Sequence, residues 1–495
     1  MSHFMIAIRA LLIATWAVVA VPVGALAQDQ DPPVQQSPQE ALAEARNGTT
    51  QQLFDARQFE AAVVAAEEAA RANQAALGDA HEHTLLAWSN LALVRELSAR
   101  YDEAEVLYRQ VIAAREAALG PDDPEVAAAL IGLGKMNRNR GHYHDAEQQL
   151  ARAHEILVAA LGESDLAVAQ SHNELSRIYR VQDRFAEAEE HQLATLTILQ
   201  TRLGPDHAAV GNSLNELGII HHNQRAYAKA EPYYIRALFI REKNFGAVSV
   251  AAARGHANLA TLYHNMGNWQ RAEIQYRRTI EIKEAALGPD HPDIAVSVRD
   301  LGLMMYEKGD AAAAEALLQD AVHRLETAMG PSAPAVAGTL GRLGELYLAE
   351  GRLADAEPIF ERSIVIWQAA LGDAHPALAR ALSSLAMLRM RQERGADAAP
   401  LQAQAVAILD AALGPEHSDV ATALANHAMI LAAAGDSAEA EALYARALAI
   451  RETNLAPNSS LIAVTLDAYA GVIREQGRDA EAITLESRAY EIRNP

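Results

Sequence analysis

The chain of 495 residues carries 64 acidic against 42 basic residues, a formal charge of −22, and no cysteine. The charge argues against phosphate-backbone binding by the surface as a whole, so nucleic acid is not an expected partner. The lack of cysteine excludes disulfides, thiolate metal sites, a cysteine nucleophile and a lipidated N-terminal cysteine.

Half of the residues are hydrophobic but only 5% are aromatic. With abundant alanine, this composition fits close helix-on-helix packing better than a sandwich or barrel. In chain order, residues 1–27 read as a secretory signal peptide. Arg9 supplies the positive start, Ala10 to Val23 an apolar run, and Ala25-Leu26-Ala27 a small-x-small cleavage site. The run is shorter than the ~20 apolar residues a membrane span needs, and Pro22 interrupts it. Cleavage after Ala27 predicts an exported protein, periplasmic in a Gram-negative host or secreted, with no membrane span left after signal cleavage. Residues 28–36, polar and proline-rich, read as a flexible linker. Ser37-Pro38-Gln39-Glu40 then spells a helix start: Ser37 caps, Pro38 suits the first helical position, and Glu40 completes a capping box.

From there one pattern recurs. Leu119-Gly120 closes the stretch Tyr101 to Gly120, and equivalents stand at Leu77-Gly78, Leu161-Gly162, Leu203-Gly204, Phe245-Gly246, Leu287-Gly288, Met329-Gly330, Leu371-Gly372 and Leu413-Gly414, 42 residues apart. A fixed period of this size marks a solenoid, which grows by adding units rather than splitting its core. Within residues 121–162 the apolar spacing predicts two helices. Val126, Leu130, Leu133 and Met136 share a face of the first, and Ala146, Leu150, Ala153, Ile156 and Leu157 a face of the second. Gly141 breaks the chain between them and Gly162 ends the second.

Two columns explain how the helices touch. Ala92, Gly134, Ser176, Gly218, Ala260, Gly302, Gly344, Ala386, Ala428 and Ala470 form one. Ala62, Ala104, Ala146, Ala188, Ala230, Ala272, Ala314, Ala356, Ala398, Ala440 and Ala482 form the other. Every member is small, as helices packed about 8–10 Å apart require, and the columns fall on the first and second helix of each repeat.

Trp88-x-x-Leu91-Ala92, followed by Tyr101, Ala104 and Tyr108, resembles the tetratricopeptide repeat, and the 42-residue spacing with Gly288-Pro289-Asp290-His291-Pro292 between units is similar to the kinesin light chain subtype. The resemblance covers residues 37–495. It implies an all-α, right-handed superhelical solenoid of about eleven helix-turn-helix repeats, with first helices lining a concave groove. Departures stand at Ala247-Val248-Ser249-Val250, which replaces the usual linker, and at Gly395 and Ser437, which replace the aromatic of the Tyr101 column. The last unit, Pro457 to Pro495, reads as lacking a full second helix.

Little points to catalysis. His207, His291, His375 and His417 share one linker position a repeat apart, too far to converge on one ion. They read as turn residues beside helix starts, and His142, His144, His221 and His222 as surface histidines. Glu105, Glu147, Glu189, Glu231, Glu273, Glu315 and Glu357 form a column that reads as a solvated face. The sequence holds no nucleophile elbow, zinc-protease, Walker or dinucleotide motif. A non-enzymatic protein with no cofactor and no metal site is the expectation.

By the tetratricopeptide analogy, groove positions on the first helices supply Lys135, Arg138, Asn139, Asn173, Arg177, Arg180, Asn215, His222, Asn223, Arg254, Asn258 and Asn265. Asparagine can pair with the amides of an extended peptide, and arginine can hold a carboxylate with two parallel hydrogen bonds. Farther on, Leu348, Met387, Met390 and Met429 make the face more apolar and adaptable. The expected function is a protein-protein interaction scaffold that binds an extended, acidic peptide or a partner protein. The alternative is a structural adaptor that self-associates through its ends or convex face.

Overall fold

The computed structural model describes residues 37–55, 59–97 and 100–494. The signal peptide and linker expected over residues 1–36 lie outside them. All regular structure among the described residues is α-helix, in eleven antiparallel pairs. The first four pairs are α1 (Pro38–Asp55) and α2 (Phe59–Leu77), α3 (Glu82–Leu97) and α4 (Tyr101–Leu119), α5 (Pro124–Arg140) and α6 (Tyr143–Leu161), and α7 (Leu166–Val181) and α8 (Phe185–Leu203). Next come α9 (Ala208–Asn223) and α10 (Tyr227–Phe245), α11 (Val250–Asn265) and α12 (Trp269–Leu287), α13 (Pro292–Glu307) and α14 (Ala311–Met329), and α15 (Pro334–Ala349) and α16 (Leu353–Leu371). The last three are α17 (Pro376–Arg391) and α18 (Gly395–Leu413), α19 (Ser418–Ala433) and α20 (Ser437–Asn454), and α21 (Ser460–Glu475) and α22 (Asp479–Arg493). The second helix of the final repeat is 15 residues long, against 19 in α18, and so is present but short of full length. Asp479 and Glu481 in its first turn favour it by facing the positive end of the helix dipole.

The chain divides into two compact bodies, an N-terminal one reaching Leu175 and a C-terminal one of Ser176 onward together with the turn Gly141–Tyr143. In both, the two small-residue columns are buried where first and second helices meet. Ala92, Ala104, Ala146, Ala260, Ala272, Ala386 and Ala398 expose nothing. A Cβ on Gly134 would stand 2.7 Å from Leu150 and 3.3 Å from the Ala146 carbonyl, and one on Gly344 would stand 2.6 Å from Phe360. At Ser176 the hydroxyl itself bridges the helices, donating to the Ala188 carbonyl at 2.7 Å.

The ends of the helices follow from local chemistry. Ser37 and Glu40 form the capping box in both directions: Ser37 N donates to Glu40 at 2.6 Å and Glu40 N to Ser37 Oγ at 3.2 Å. His207, His291, His375 and His417 are N-caps, each Nδ1 accepting the backbone N–H two residues on at 3.0–3.2 Å. From α5–α6 onward the turn inside each pair holds one left-handed residue. Glycine fills it at positions 141, 267, 309, 351, 435 and 477, whereas Asp183, Arg225 and Glu393 adopt φ of 61°, 58° and 61° without that freedom.

In the C-terminal body two such turns meet linkers far along the chain. Ala456 N donates to Gln182 O at 2.7 Å and Ser459 Oγ to Asp183 Oδ2 at 2.7 Å. A repeat earlier on both sides, the imidazole of His417 lies where a Cβ of Gly141 would be, and His142 lies over Gly414. The separation is 276 residues in each case, 183 to 459 and 141 to 417.

Candidate peptide-binding face

The twelve first-helix residues singled out from the sequence are distributed between the two bodies, and most are engaged by their neighbours. In the N-terminal body, Arg138 pairs with Glu174 at 2.5 Å and Asn139 donates to Glu96 at 2.7 Å. Glu174 and Glu96 are themselves buried, and Glu96 also receives the Tyr108 hydroxyl at 3.4 Å. Burial first, and then the Glu96 charge, push the Tyr108 phenol well above its ordinary range. Asn173 is 1% exposed and its Oδ1 has no hydrogen-bond partner. Lys135, half-buried, makes no side-chain bond at all among the described residues.

In the C-terminal body Arg177 pairs with Glu216 at 3.0 Å, Asn258 donates to Asn215 at 2.5 Å, and Asn265 donates to His222 Nε2 at 2.6 Å. Asn215 is buried rather than open. Burial holds the His222 imidazole below its ordinary pKa. Arg180 is half-buried near Tyr234, whose phenol burial pushes up. Asn223 and Arg254 are exposed and carry no side-chain hydrogen bond or ion pair. Side chains expected to await a ligand thus tie adjacent first helices together, because equivalent positions in successive repeats stand side by side. Lys135, Asn223 and Arg254 are the members left to solvent.

Two histidine and glutamate expectations change. His221 is not a surface residue: it is 2% exposed, stacks on Tyr233 with ring centroids 5.5 Å apart, and points Nε2 at Glu189, 3.5 Å away. The glutamate column is not merely solvated but clips each repeat to the next. Glu231 accepts the Tyr263 hydroxyl at 2.8 Å, Glu315 accepts the Tyr347 hydroxyl at 2.8 Å and pairs with Arg352 at 2.7 Å, and Glu357 pairs with Arg389. The Arg352 and Tyr347 bonds hold the Glu315 carboxyl below the usual range.

Sequence reasoning missed a cleft of about 710 Å³ in the N-terminal body, where α2 and α4 part over α3. Trp88, Leu91 and Leu107 give it an apolar floor, with Arg71, Gln74 and Gln110 at its edge. Among the described residues no group of three His, Asp or Glu is placed to hold a metal ion, and no helix is long and apolar enough to cross a membrane.

The model of the Tetratricopeptide repeat family matches residues 84–157, 166–243, 249–327, 335–411, 378–453 and 419–494. No curated protein matches the chain. Among solved structures, BtubC (BKLC) from P. vanneervenii is similar at 22% identity and TM-score 0.39, covering 49% of this chain and 91% of its own. A kinesin light chain-type structure of nearly identical TPR-like repeats from Podosopora anserina is similar at 20% identity and TM-score 0.37, with 41% and 97% covered. The apo form of RapI is similar at 12% identity and TM-score 0.46, with 74% and 97% covered.

Proposed function

We propose that this chain, which belongs to the tetratricopeptide repeat family, is a non-catalytic protein-interaction scaffold whose first-helix face takes an extended, acidic segment of a partner protein. The observation that carries this reading is the sign of the charge left over on that face. Lys135 in the N-terminal body and, separately, Arg254 in the C-terminal body make no ion pair among the described residues, on a chain of net charge −22. An acidic segment would find there cations that the fold has not already paired with its own acids. Asn223, with both a donor and an acceptor open, suits the backbone of an extended chain.

The test is capture of a partner from the cell envelope by the full chain and, separately, by Lys135→Glu and by Arg254→Glu. Loss of the captured partner with an unchanged melting temperature supports the reading; undiminished capture overturns it. The envelope is the compartment to search because residues 1–27 carry the features of an export signal. Mass spectrometry of the protein recovered from its host tests that part, and a chain that retains Met1 overturns it.

Self-association through the last repeat is the second reading, favoured by Ile483 and Tyr490, which stay 56% and 67% exposed on α22. Sedimentation over a range of concentrations distinguishes the two, since a concentration-independent monomer excludes it.

A further inference from the structure

The fifteenth residue of the first ten second helices forms a column at the 42-residue step: Asn73, Arg115, Leu157, Leu199, Arg241, Lys283, Leu325, Trp367, Leu409 and Arg451. Four of its polar members reach one target, the carbonyl ten residues on, in the first turn of the next repeat. Asn73 donates to His83 O at 3.2 Å, Arg115 to Glu125 O at 2.8 Å, Lys283 to Asp293 O at 2.9 Å and Arg451 to Leu461 O at 3.2 Å. Lys283 and Arg451 gain a second acceptor one turn farther, the hydroxyls of Ser297 and Thr465.

Arg241 is the exception. The residue in the place of Ser297 and Thr465 is Gly255, which offers no hydroxyl; a Cβ there would come 2.7 Å from Leu238, so the packing keeps it bare. Arg241 makes no hydrogen bond or ion pair among the described residues, and its Nη1 is buried without an acceptor. The side chain as a whole is only half-buried, so the group is not sealed off. Leaving a guanidinium nitrogen in this state is unfavourable, and native structures seldom keep such a group without a reason. The fold itself does not ask for charge here, because leucine occupies the same place in four repeats. Arg254, one residue before Gly255, adds a second cation that makes no hydrogen bond or ion pair among the described residues, with Asp293 the acid whose charge reaches it. Burial first, and then the Arg254 charge, bring the Arg241 pKa down to about 10. The acid whose charge acts on it, Glu216, is already paired with Arg177 at 3.0 Å.

We propose that Arg241 and Arg254 together receive one oxyanion, a carboxylate or a phosphate group, which supplies the acceptor that the fold withholds. This rests on the reading that the first-helix face takes an acidic segment, and it names the residues that anchor that segment. A guanidinium presents two parallel donors to such a group. Arg241 lies on a second helix, so the anchor lies at the step between α10 and α11 rather than along the first helices alone.

The experiment uses the full chain and three probes: inorganic phosphate, acetate and a hexaglutamate peptide, each against sodium chloride at matched ionic strength. Phosphate or acetate raises the melting temperature of the wild type above the chloride control, and the larger shift tells which oxyanion is preferred. Arg241→Leu, which installs the residue that four other repeats carry, melts at or above the wild type, loses the anion shift and binds hexaglutamate at least tenfold more weakly. Arg254→Gln reduces both effects. An anion shift undiminished in Arg241→Leu, no shift in the wild type, or an Arg241→Leu protein that melts well below the wild type overturns the anchor. If hexaglutamate still binds Arg241→Leu with unchanged affinity, the anchor fails while the acidic-segment reading stands. If hexaglutamate does not bind the wild type, both fail.

Discussion

Ser459 donates a 2.7 Å hydrogen bond to the carboxylate of Asp183, 276 residues earlier in the chain. Each partner is held independently of the other. Asp183 occupies the left-handed position of the α7–α8 turn, and Ser459 is the N-cap of α21 with no side-chain bond to its own helix. The serine hydroxyl is therefore used for the distant contact instead of the local cap. Ser459→Ala removes about 1.5–3 kcal/mol, the range for a hydrogen bond to a charged group, and Asp183→Asn removes part of the same energy. A double-mutant cycle read by urea unfolding gives a coupling of about 0.5–1.5 kcal/mol if the bond forms; additive single effects would refute it.

The second return contact is testable at glycine. Gly141 and Gly267 hold the same turn position with φ of 89° and 70°, but only Gly141 has the His417 ring against it. Alanine at either place pays about 1–2 kcal/mol for the left-handed backbone. Gly141→Ala loses about 1–3 kcal/mol more, through overpacking. Equal melting temperatures for the two variants would show that the His417 contact contributes nothing.

Glycines inside the helices divide in the same way. Gly344→Ala drives a methyl to within 2.6 Å of Phe360 and destabilises by about 1–3 kcal/mol. Gly341→Ala, three residues away on α15, meets nothing within 4 Å and stabilises by about 0.4–1 kcal/mol. Thermal unfolding of the pair checks the sign as well as the size.

Acid should weaken the fold before the carboxylates titrate. Burial lowers the pKa values of His154, His222 and His427 below 6.5. A depressed folded-state value means that the unfolded chain binds the protons first. The stability these groups contribute is complete above the unfolded value of 6.5 and is lost as pH falls through their folded values. The urea midpoint therefore drops between pH 7 and pH 5.5, and His427→Gln flattens that slope; a midpoint constant over this window would contradict it.

On the first helices, charge reversal separates residues that bind their own fold from residues left to solvent. Arg138→Glu sets a second carboxylate against the buried Glu174 and costs about 2 kcal/mol or more. Lys135→Glu, three residues earlier, stays within about 0.5 kcal/mol of the wild type. Circular dichroism melts of both proteins decide it.

The fold was legible because its causes are local and repeated. Ala104 and its equivalents, the glycines past each second helix and the Ser37–Glu40 box all act within one repeat or between neighbours, so a 42-residue step in the letters exposes them. The face was legible in position but not in state. Asn139, Arg177 and Asn265 lie on the first helices as expected, yet each bonds a side chain 39 or 43 residues away, and no pattern in the letters shows whether two side chains meet. Arg241 escaped notice for a related reason, since it stands out only when the bonds made by Lys283 and Arg451 are seen. The Asp183–Ser459 contact lies deeper still, since the small rotations of many successive repeats must sum correctly before the two residues meet.

That sum has a consequence for how this chain can change. Losing or gaining one 42-residue repeat between positions 183 and 459 would leave every adjacent interface intact, as nearest-neighbour stacking allows. It would also carry Ser459 past Asp183 by a whole step and His417 past Gly141 by the same amount. The paired contacts therefore act as a length gauge, and variants with a different number of repeats in this interval are tolerated by the stack while giving up both far bonds at once.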